Sequence, residues 1–260
     1  MPRANRHILA GHTYHLTHRC HCGAFLLRFA RDRQAYRTRL RAAIGHWAVR
    51  LLNYCLTSNH VHLLCQADGI VDVAGMMKEV AGGMAQAYNL RKGRGGAFWT
   101  DRYHATMVGD GSHLWRCMRY IDLNMVRAGV VTHPVEWEWT GWGELMGLRR
   151  RNRLLDMPTV LEALECEKAE TFRKQYAAFV EEALVPGSLQ REAWWSESLA
   201  VGSDVFVNEI REAVQAGNLR RRLGVVSGPG GETVLRESSG PYGAENVPEN
   251  RAMALSWEAP

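Results

Sequence analysis

The sequence predicts an α+β fold in which an antiparallel sheet is covered on one face by helices. Two short apolar runs, 48–56 and 61–66, flank the turn residues 57–59 and predict a hairpin. Two segments with helical spacing, 31–47 and 71–90, precede and follow that hairpin. With one extended segment at each end, the order β, α, β, β, α, β is that of a ferredoxin-like split βαβ sandwich.

The first elements of this pattern are a strand, a helix and the hairpin. The strand is predicted over residues 8–18, around the β-forming core Thr-Tyr-His-Leu-Thr. The helix is predicted over 31–47, because apolar residues recur there at three-to-four spacing among five arginines. In the ferredoxin-like topology the first and third strands are central neighbours. The second hairpin strand is therefore expected inside the sheet, with His60 and His62 at its middle.

The remaining elements of the sheet domain are two helices separated by an extended segment. The second helix is predicted over 71–90 and ends in the basic loop 91–96. An extended aromatic segment follows over 97–108. A third helix is predicted from Ser112, a suitable N-cap, to the residue before Gly129, which supplies a C-terminal stop.

The chain divides into three predicted segments. The first domain covers residues 1–148, and the run Arg149-Arg150-Arg151 marks a linker after it. A mainly helical extension is predicted over 149–223. The tail, 224–260, is rich in Gly, Pro, Ser and Glu and is predicted to be irregular or disordered.

Composition limits the kinds of protein that this chain can be. With 260 residues, 46% of them hydrophobic, it can bury real cores. A net charge of +5 suits a phosphate-rich partner without requiring one. The six cysteines form no regular framework and are expected to be reduced thiols of a cytoplasmic protein. A polar, basic start and the lack of a long apolar stretch argue against secretion and membrane insertion.

Two short motifs carry candidate chemistry. His60 and His62 flank one hydrophobic residue in a predicted strand, where alternation places both imidazoles on one face, as a metal site requires. Tyr120 and Asn124 are four residues apart in a predicted helix and therefore share a face. Asn124 would complete a ligand set for Mg²⁺ or Mn²⁺, with Zn²⁺ as the alternative. Tyr120 would attack a phosphodiester and form a phosphotyrosine.

Each motif also has a purely structural interpretation. A histidine pair in a strand is more often hydrogen-bonded than metal-bound, and a single tyrosine is more often a core residue than a nucleophile. Asn124 also fits a helix-terminal cap. A group of histidines and cysteines is concentrated near the N-terminus. The spacing of these residues does not match that of zinc sites, and no structural zinc is predicted. This group contains His7, His12, His15, His18, Cys20, His21 and Cys22.

The ordered motifs of the chain resemble a known family. The segments that carry the likeness are Tyr14-His15-Leu16-Thr17-His18-Arg19, Ser58-Asn59-His60-Val61-His62-Leu63-Leu64, Phe98-Trp99-Thr100-Asp101-Arg102-Tyr103 and Arg119-Tyr120-Ile121-Asp122-Leu123-Asn124-Met125-Val126-Arg127-Ala128-Gly129. In this order they resemble the single-tyrosine HUH transposases, specifically the branch of REP-associated tyrosine transposases. The resemblance implies that His60 and His62 bind the metal, that Asn124 supplies a further ligand, and that Tyr120 is the nucleophile.

The chain departs from the family pattern at two places. Met125 follows Asn124 where the family usually has Pro, which leaves the geometry of the helix less certain. Thr57 and Ser58 precede Asn59 where the family often has Met-Pro. Neither change removes a reactive atom.

The resemblance implies a DNA transposase with a divalent metal, Mg²⁺ or Mn²⁺, as its cofactor. Its reaction would be the cleavage and rejoining of single-stranded DNA beside a hairpin or palindrome, through a 5′-phosphotyrosine and a free 3′-OH. Basic residues within the motifs, Arg19, Arg102 and Arg127, are expected to contact the DNA, with Arg91, Lys92 and Arg94 of the basic loop as weaker candidates. A monomer and a homodimer both fit.

Two other functions fit the same motifs. The first is a non-catalytic protein that binds DNA hairpins and retains the transposase fold. The second is a metallohydrolase that uses activated water and leaves free 5′-phosphate ends.

Overall fold

The computed structural model describes residues 9–185, 189–217, 223–228 and 231–237. Within these ranges the strands form one sheet in the order β2-β3-β1-β4-β5-β7-β6. The strands are β1 (Thr13–Arg19), β2 (Val49–Leu56), β3 (His60–Ala67), β4 (His104–Val108), β5 (Ala200–Gly202), β6 (Leu223–Ser227) and β7 (Thr233–Glu237).

Helices of very different length surround the sheet. They are α1 (Ala30–His46), α2 (Ile70–Lys92), α3 (Ser112–Asp122), α4 (Asn124–Arg127), α5 (Trp142–Leu145), α6 (Met157–Ala163), α7 (Ala169–Glu181), α8 (Trp194–Glu197) and α9 (Asp204–Gly217). Two 3₁₀ turns lie at His21–Gly23 and Pro134–Glu136. No helix in the described ranges combines the length and the apolar character that crossing a bilayer would take.

The α+β fold class predicted from the sequence is confirmed. Through β4 the element order is the predicted one, and β1 and β3 are neighbouring strands in the interior of the sheet. β1 pairs antiparallel with β3 on one side and with β4 on the other, and β2 pairs antiparallel with β3. The pairing sets His60 opposite Arg19, and His62 opposite Thr17.

Helices cover both faces of the sheet, so the predicted cover on one face is wrong. His15 and His18 lie three residues apart on β1, and alternation therefore points them to opposite faces. His18 stacks on Trp99, which contacts Tyr36 of α1. His15 hydrogen-bonds to Trp195 of α8 on the other face. Side chains on both faces of β1 are consequently buried. His15 on one face is fully buried, and His18 on the other is almost fully buried.

The predicted third helix is interrupted. Helix α3 ends at Asp122, Leu123 leaves the regular helical conformation, and Asn124 begins α4. The break occurs without the Pro that the family usually has after Asn124. The predicted stop is present, because Gly129 adopts a φ of 67° that favours glycine. The predicted N-cap at Ser112 is wrong, since Gly111 occupies that position.

The C-terminal half of the chain extends the same sheet. Several short helices are present between 157 and 217, as predicted, but β5 pairs parallel with β4, and β7 and β6 continue the sheet beyond it. The predicted irregular tail from residue 224 is therefore wrong for β6 and β7. Residues 238–260 lie outside the described residues. The division into segments 1–148 and 149–223 stays a prediction.

Candidate active site

A pocket of about 310 Å³ opens where β1 ends and β3 begins. The predicted site residues that line it are His60, His62, Tyr120, Asn124, Arg19 and Arg127. The extension supplies further lining residues, namely Leu189, Arg191, Ser196 and Glu197. Residues separated by more than a hundred positions in the chain thus meet at one end of the sheet.

His60 and His62 reach the pocket together because of strand alternation. Both project to the same face of β3, and their ring centroids are 4.8 Å apart. β3 is an inner strand, as predicted, but His60 is its first residue and lies at its end. This end position brings His60 next to the turn that precedes β3 and to the end of β1.

The turn before β3 determines which nitrogen of His60 carries the proton. The Asn59 amide Nδ2 donates to the Gly23 carbonyl at 3.1 Å, so Asn59 Oδ1 is the atom that faces His60. His60 Nδ1 lies 2.7 Å from this oxygen and must donate to it. The Nε2 atom of a neutral His60 is consequently unprotonated and has a free lone pair.

A second chain of hydrogen bonds gives His62 the same tautomer. His15 Nδ1 lies 2.7 Å from the Trp195 carbonyl oxygen, which can only accept, so His15 Nδ1 carries the proton. His15 Nε2 is then an acceptor and accepts a hydrogen bond from His62 Nδ1 at 2.8 Å. His62 Nε2 is therefore also unprotonated, and its lone pair faces Asn124.

Both of these arguments require neutral imidazoles, and burial provides that condition. Burial, with smaller contributions from Arg19 and Arg127, lowers the pKa of His60 to about 3. Burial likewise lowers the pKa of His15 to about 3 and that of His62 well below its ordinary value. At neutral pH these three side chains are uncharged and can donate electron pairs.

Asn124 lies where a third ligand would be needed. Its Nδ2 atom is 3.0 Å from His62 Nε2, and rotation of the amide would put Oδ1 in that position. With the amide rotated, Asn124 Oδ1 and His62 Nε2 would lie close enough together to bind one divalent cation. The described residues contain no metal-holding group of three or more His, Cys, Asp or Glu. The candidate set instead consists of His60, His62 and one carboxamide.

Tyr120 lies beside these ligands and is almost completely buried. Its ring centroid is 5.9 Å from that of His62, and the Arg127 guanidinium lies 4.0 Å from the ring centroid on the face of the phenol. Arg127 also donates to the Tyr120 carbonyl at 2.7 Å. Ser196 of α8 lines the same pocket as the phenol. Burial raises the pKa of Tyr120, against opposing contributions from Arg127, Ser196 and Arg191, so Tyr120 is a neutral phenol at neutral pH.

A buried carboxylate anchors the helix that carries Tyr120. Asp122 accepts hydrogen bonds from Asn53 of β2, from Thr140 and from Tyr176 of α7. These contacts join α3 to the sheet and to the extension. Because a buried carboxylate needs such partners, they fix the position of α3 and thereby that of Tyr120.

Not all the predicted DNA contacts lie at the pocket. Arg102 lines a different groove, which also contains Trp99 and Lys78. Arg91, which was predicted in the basic loop, lies in the last turn of α2 and forms an ion pair with Asp32 of α1. The structure therefore assigns Arg91 a role in joining α2 to α1, and it separates Arg102 from the site.

Sequence reasoning missed the residues that the extension and β1 contribute. His15 was named in the rejected zinc cluster and in a family motif, but no role in the site was predicted for it, although it contacts His62 directly. Arg191 and Ser196 line the pocket from a part of the chain with no recognisable motif. The alternation of β1 could have placed His15 on the same face as Thr17. Nothing in the sequence indicated that Trp195 packs against it.

The pocket lies largely within a part of the chain that matches a known family. One α+β fold brings two imidazoles, a carboxamide and a buried phenol to this pocket. Residues 9–124 match the family described as "Transposase IS200 like". This match covers β1 to β4 and extends through Tyr120 to Asn124. The match confirms the resemblance to single-tyrosine transposases seen in the sequence.

Two solved structures show a weaker likeness. One is a REP-associated tyrosine transposase bound to a REP hairpin, with 16% identity, a TM-score of 0.46, and coverage of 60% of this chain and 93% of that one. The other is a candidate transposase from Deinococcus radiodurans R1, with 17% identity, a TM-score of 0.31, and coverage of 40% and 84%. At these TM-scores neither likeness decides fold or function. No curated protein matches the chain.

Proposed function

We propose that the protein cleaves and rejoins single-stranded DNA beside a hairpin through a covalent bond to Tyr120. The observation that carries this proposal is the position of the Tyr120 phenol in one pocket with His60, His62 and Asn124. A phenol among uncharged metal-type ligands and guanidinium groups suits attack on a phosphodiester. The matched transposase family makes DNA the substrate class.

Each side chain has a proposed role in binding the metal or the scissile phosphate. His60 and His62 through Nε2, and Asn124 through Oδ1, would hold a divalent cation, Mg²⁺ or Mn²⁺. The cation would polarise the scissile phosphodiester as a Lewis acid. Arg127 and Arg191 supply positive charge beside the phenol and would stabilise charge that develops on its oxygen.

The proposed step exchanges one phosphodiester for another. The Tyr120 Oη atom attacks the phosphorus and loses its proton to the solvent that reaches the open pocket. The bond between phosphorus and the 3′ oxygen breaks, and that oxygen leaves with a proton as a free 3′-OH. A 5′-phosphotyrosine remains. Because one ester replaces another, the reverse attack by a 3′-OH can rejoin DNA without a high-energy cofactor.

Basic side chains at the pocket are the proposed contacts for the DNA backbone. Arg19 and Arg127 line the pocket, where they can pair with phosphates next to the cleaved bond. Arg102, in its separate groove, is proposed as a more distant contact. Replacing Arg102 by Ala should therefore weaken DNA binding without changing the cleavage rate of bound DNA.

The direct test is the formation of a covalent adduct. The protein is incubated with labelled hairpin-bearing single-stranded DNA and Mg²⁺ or Mn²⁺, and the products are separated under denaturing conditions. We expect an adduct with the wild-type protein and none with Tyr120→Phe. Tyr88→Phe, which removes a phenol from α2 outside the pocket, is the matched control and should retain the adduct.

The same experiment separates the other two functions. Free 5′-phosphate ends that persist in Tyr120→Phe would indicate a metallohydrolase using water. Hairpin binding that needs no metal and yields no product would indicate a non-catalytic binding protein. Either result overturns the proposed mechanism.

A further inference from the structure

We propose that His15 is a positioning residue for the metal ligand His62, and that the backbone carbonyl of Trp195 fixes both imidazoles through it. The inference rests on the proposed function only in treating His62 as a metal ligand. The orientation and tautomer of His62 are inferred for the protein without metal, so they do not depend on the proposed function.

The inference follows from the direction of each hydrogen bond. The Trp195 carbonyl can only accept, so it determines that His15 donates from Nδ1. His15 then has one remaining nitrogen, and that nitrogen can only accept from His62. No other arrangement of two neutral imidazoles satisfies both contacts. The lone pair on His62 Nε2, which faces Asn124 at 3.0 Å, is the final consequence.

Packing supports the same function for His15. The side chain is fully buried, and its ring lies nearly parallel to that of His62, with the centroids 5.0 Å apart. A buried imidazole is costly unless both nitrogens are bonded, and here each has one partner. Metal-binding histidines usually donate their second nitrogen to a carboxylate or a carbonyl. In this protein His62 donates to a second imidazole, that of His15. Because the Trp195 carbonyl fixes the proton of His15 on Nδ1, it also fixes the proton of His62.

The segment that provides the carbonyl also lies against Tyr120. Trp195 and Ser196 are consecutive residues of α8; the Trp195 ring centroid lies 6.4 Å from that of Tyr120, and Ser196 lines the same pocket as Tyr120. One turn of the extension therefore orients His62 through a carbonyl and packs beside the ring of Tyr120. This assigns a function in the active site to a part of the chain outside the matched residues 9–124.

The test measures the tautomer of His62 and the affinity for Mn²⁺ in the full-length protein. The ¹⁵N and ¹H signals of the histidine rings, recorded without metal, report which nitrogen carries the proton. Isothermal titration calorimetry with Mn²⁺ reports the affinity without any turnover. The variants are His15→Phe, which removes both hydrogen bonds, and His15→Gln, whose amide oxygen can still accept from His62.

A second histidine offers a matched control. His104 also donates a ring N–H to a carbonyl of the extension, that of Ser198 at 2.9 Å, and it is largely buried. Although its backbone pairs with that of Thr17, His104 does not line the pocket, and its ring is bonded to the Ser198 carbonyl and not to His62. His104→Phe should therefore perturb packing to a similar extent and leave the His62 signals and the Mn²⁺ affinity unchanged.

We expect wild-type His62 to carry its proton on Nδ1, and His15→Phe to shift it toward Nε2. We expect Mn²⁺ affinity to fall about tenfold to a hundredfold in His15→Phe and to recover in His15→Gln. A wild-type His62 protonated on Nε2 overturns the inference, even if His15→Phe does not fold. An unchanged tautomer in folded His15→Phe also overturns it. If wild type binds no Mn²⁺ but has the expected tautomer, the proposed metal site fails while the role of His15 in orienting His62 stands.

Discussion

Tyr120 has a phenol whose pKa lies above its ordinary value, because burial disfavours the charged form. Below that pKa the phenolate fraction rises tenfold for each pH unit. If the phenolate is the attacking species, adduct formation in a single turnover should rise about tenfold per unit between about pH 6 and pH 9, without a plateau. Quenched reactions with saturating DNA measure this rate. Hairpin binding by Tyr120→Phe over the same range is the control, and a flat rate profile would contradict the assignment.

Asp122 links the stability of the fold to pH. Burial raises its folded pKa from 3.8 to about 6 against the opposing hydrogen bonds. Its contribution to stability is therefore fully present below the unfolded value and is lost as pH rises through about 6. The free energy of unfolding of wild type relative to Asp122→Asn should fall by up to about 3 kcal/mol between about pH 4 and pH 7. Urea denaturation at each pH provides the measurement.

An exposed carboxylate provides a control of opposite sign. The side-chain hydrogen bond from Arg50 lowers the pKa of Asp68. The stability of wild type relative to Asp68→Asn should consequently increase as pH rises through the acid range. If the stability of wild type relative to Asp122→Asn also increases with pH, the pKa of Asp122 is not raised in the folded protein.

At the level of single residues, the sequence predicted the candidate site residues better than the residues that surround them. His60, His62 and Tyr120 could be found because their spacing along one element already places their side chains. His15 and Ser196 could not be found in this way. Their positions depend on the packing of α8 against β1, which joins residues far apart in the chain. Arg102 also belongs to a recognisable motif, but it lies in another groove, and its contact with DNA stays a prediction.

At the level of elements, one glycine controls the packing of α1 against α2. A Cβ at Gly75 would overlap the indole ring of Trp47, the residue that directly follows α1. Gly75→Ala should therefore lower the free energy of unfolding by about 1 to 3 kcal/mol. Gly82, in the same helix, has no atom within 4 Å of a Cβ position. Gly82→Ala is the matched control and should raise stability by about 0.5 to 1 kcal/mol. Urea denaturation measures both changes. Equal decreases in the free energy of unfolding of the two variants would contradict this account.

The elements that were wrongly predicted depend on contacts outside themselves. The sequence 112–128 has continuous helical spacing, yet the helix breaks at Leu123, directly after the anchored Asp122. β6 and β7 lie among Gly, Pro and Ser residues, and their strand character arises from pairing with each other and with β5. By contrast, α1, α2 and the hairpin of β2 and β3 are encoded by local periodicity, and all were predicted within a few residues.

At the level of the whole molecule, the extension and the transposase domain should unfold together. β5 continues the sheet from β4, and fully buried Trp195 lies against β1. We expect tryptophan fluorescence and far-ultraviolet circular dichroism to give coincident single transitions in guanidinium chloride. Two separate transitions would instead support independent units divided near residue 148.

The parallel pairing of β4 with β5 has a consequence for the order in which the protein folds. Met107 pairs with Ala200, a separation of 93 positions (200 minus 107). Such long loops close slowly, because the chain loses entropy before the contact is made. On the ribosome, β1 to β4 can emerge and pair well before α8 and β5 are synthesised. The nascent segment from β1 to β4 therefore lacks the Trp195 carbonyl and Ser196, and the candidate site is completed only late in translation.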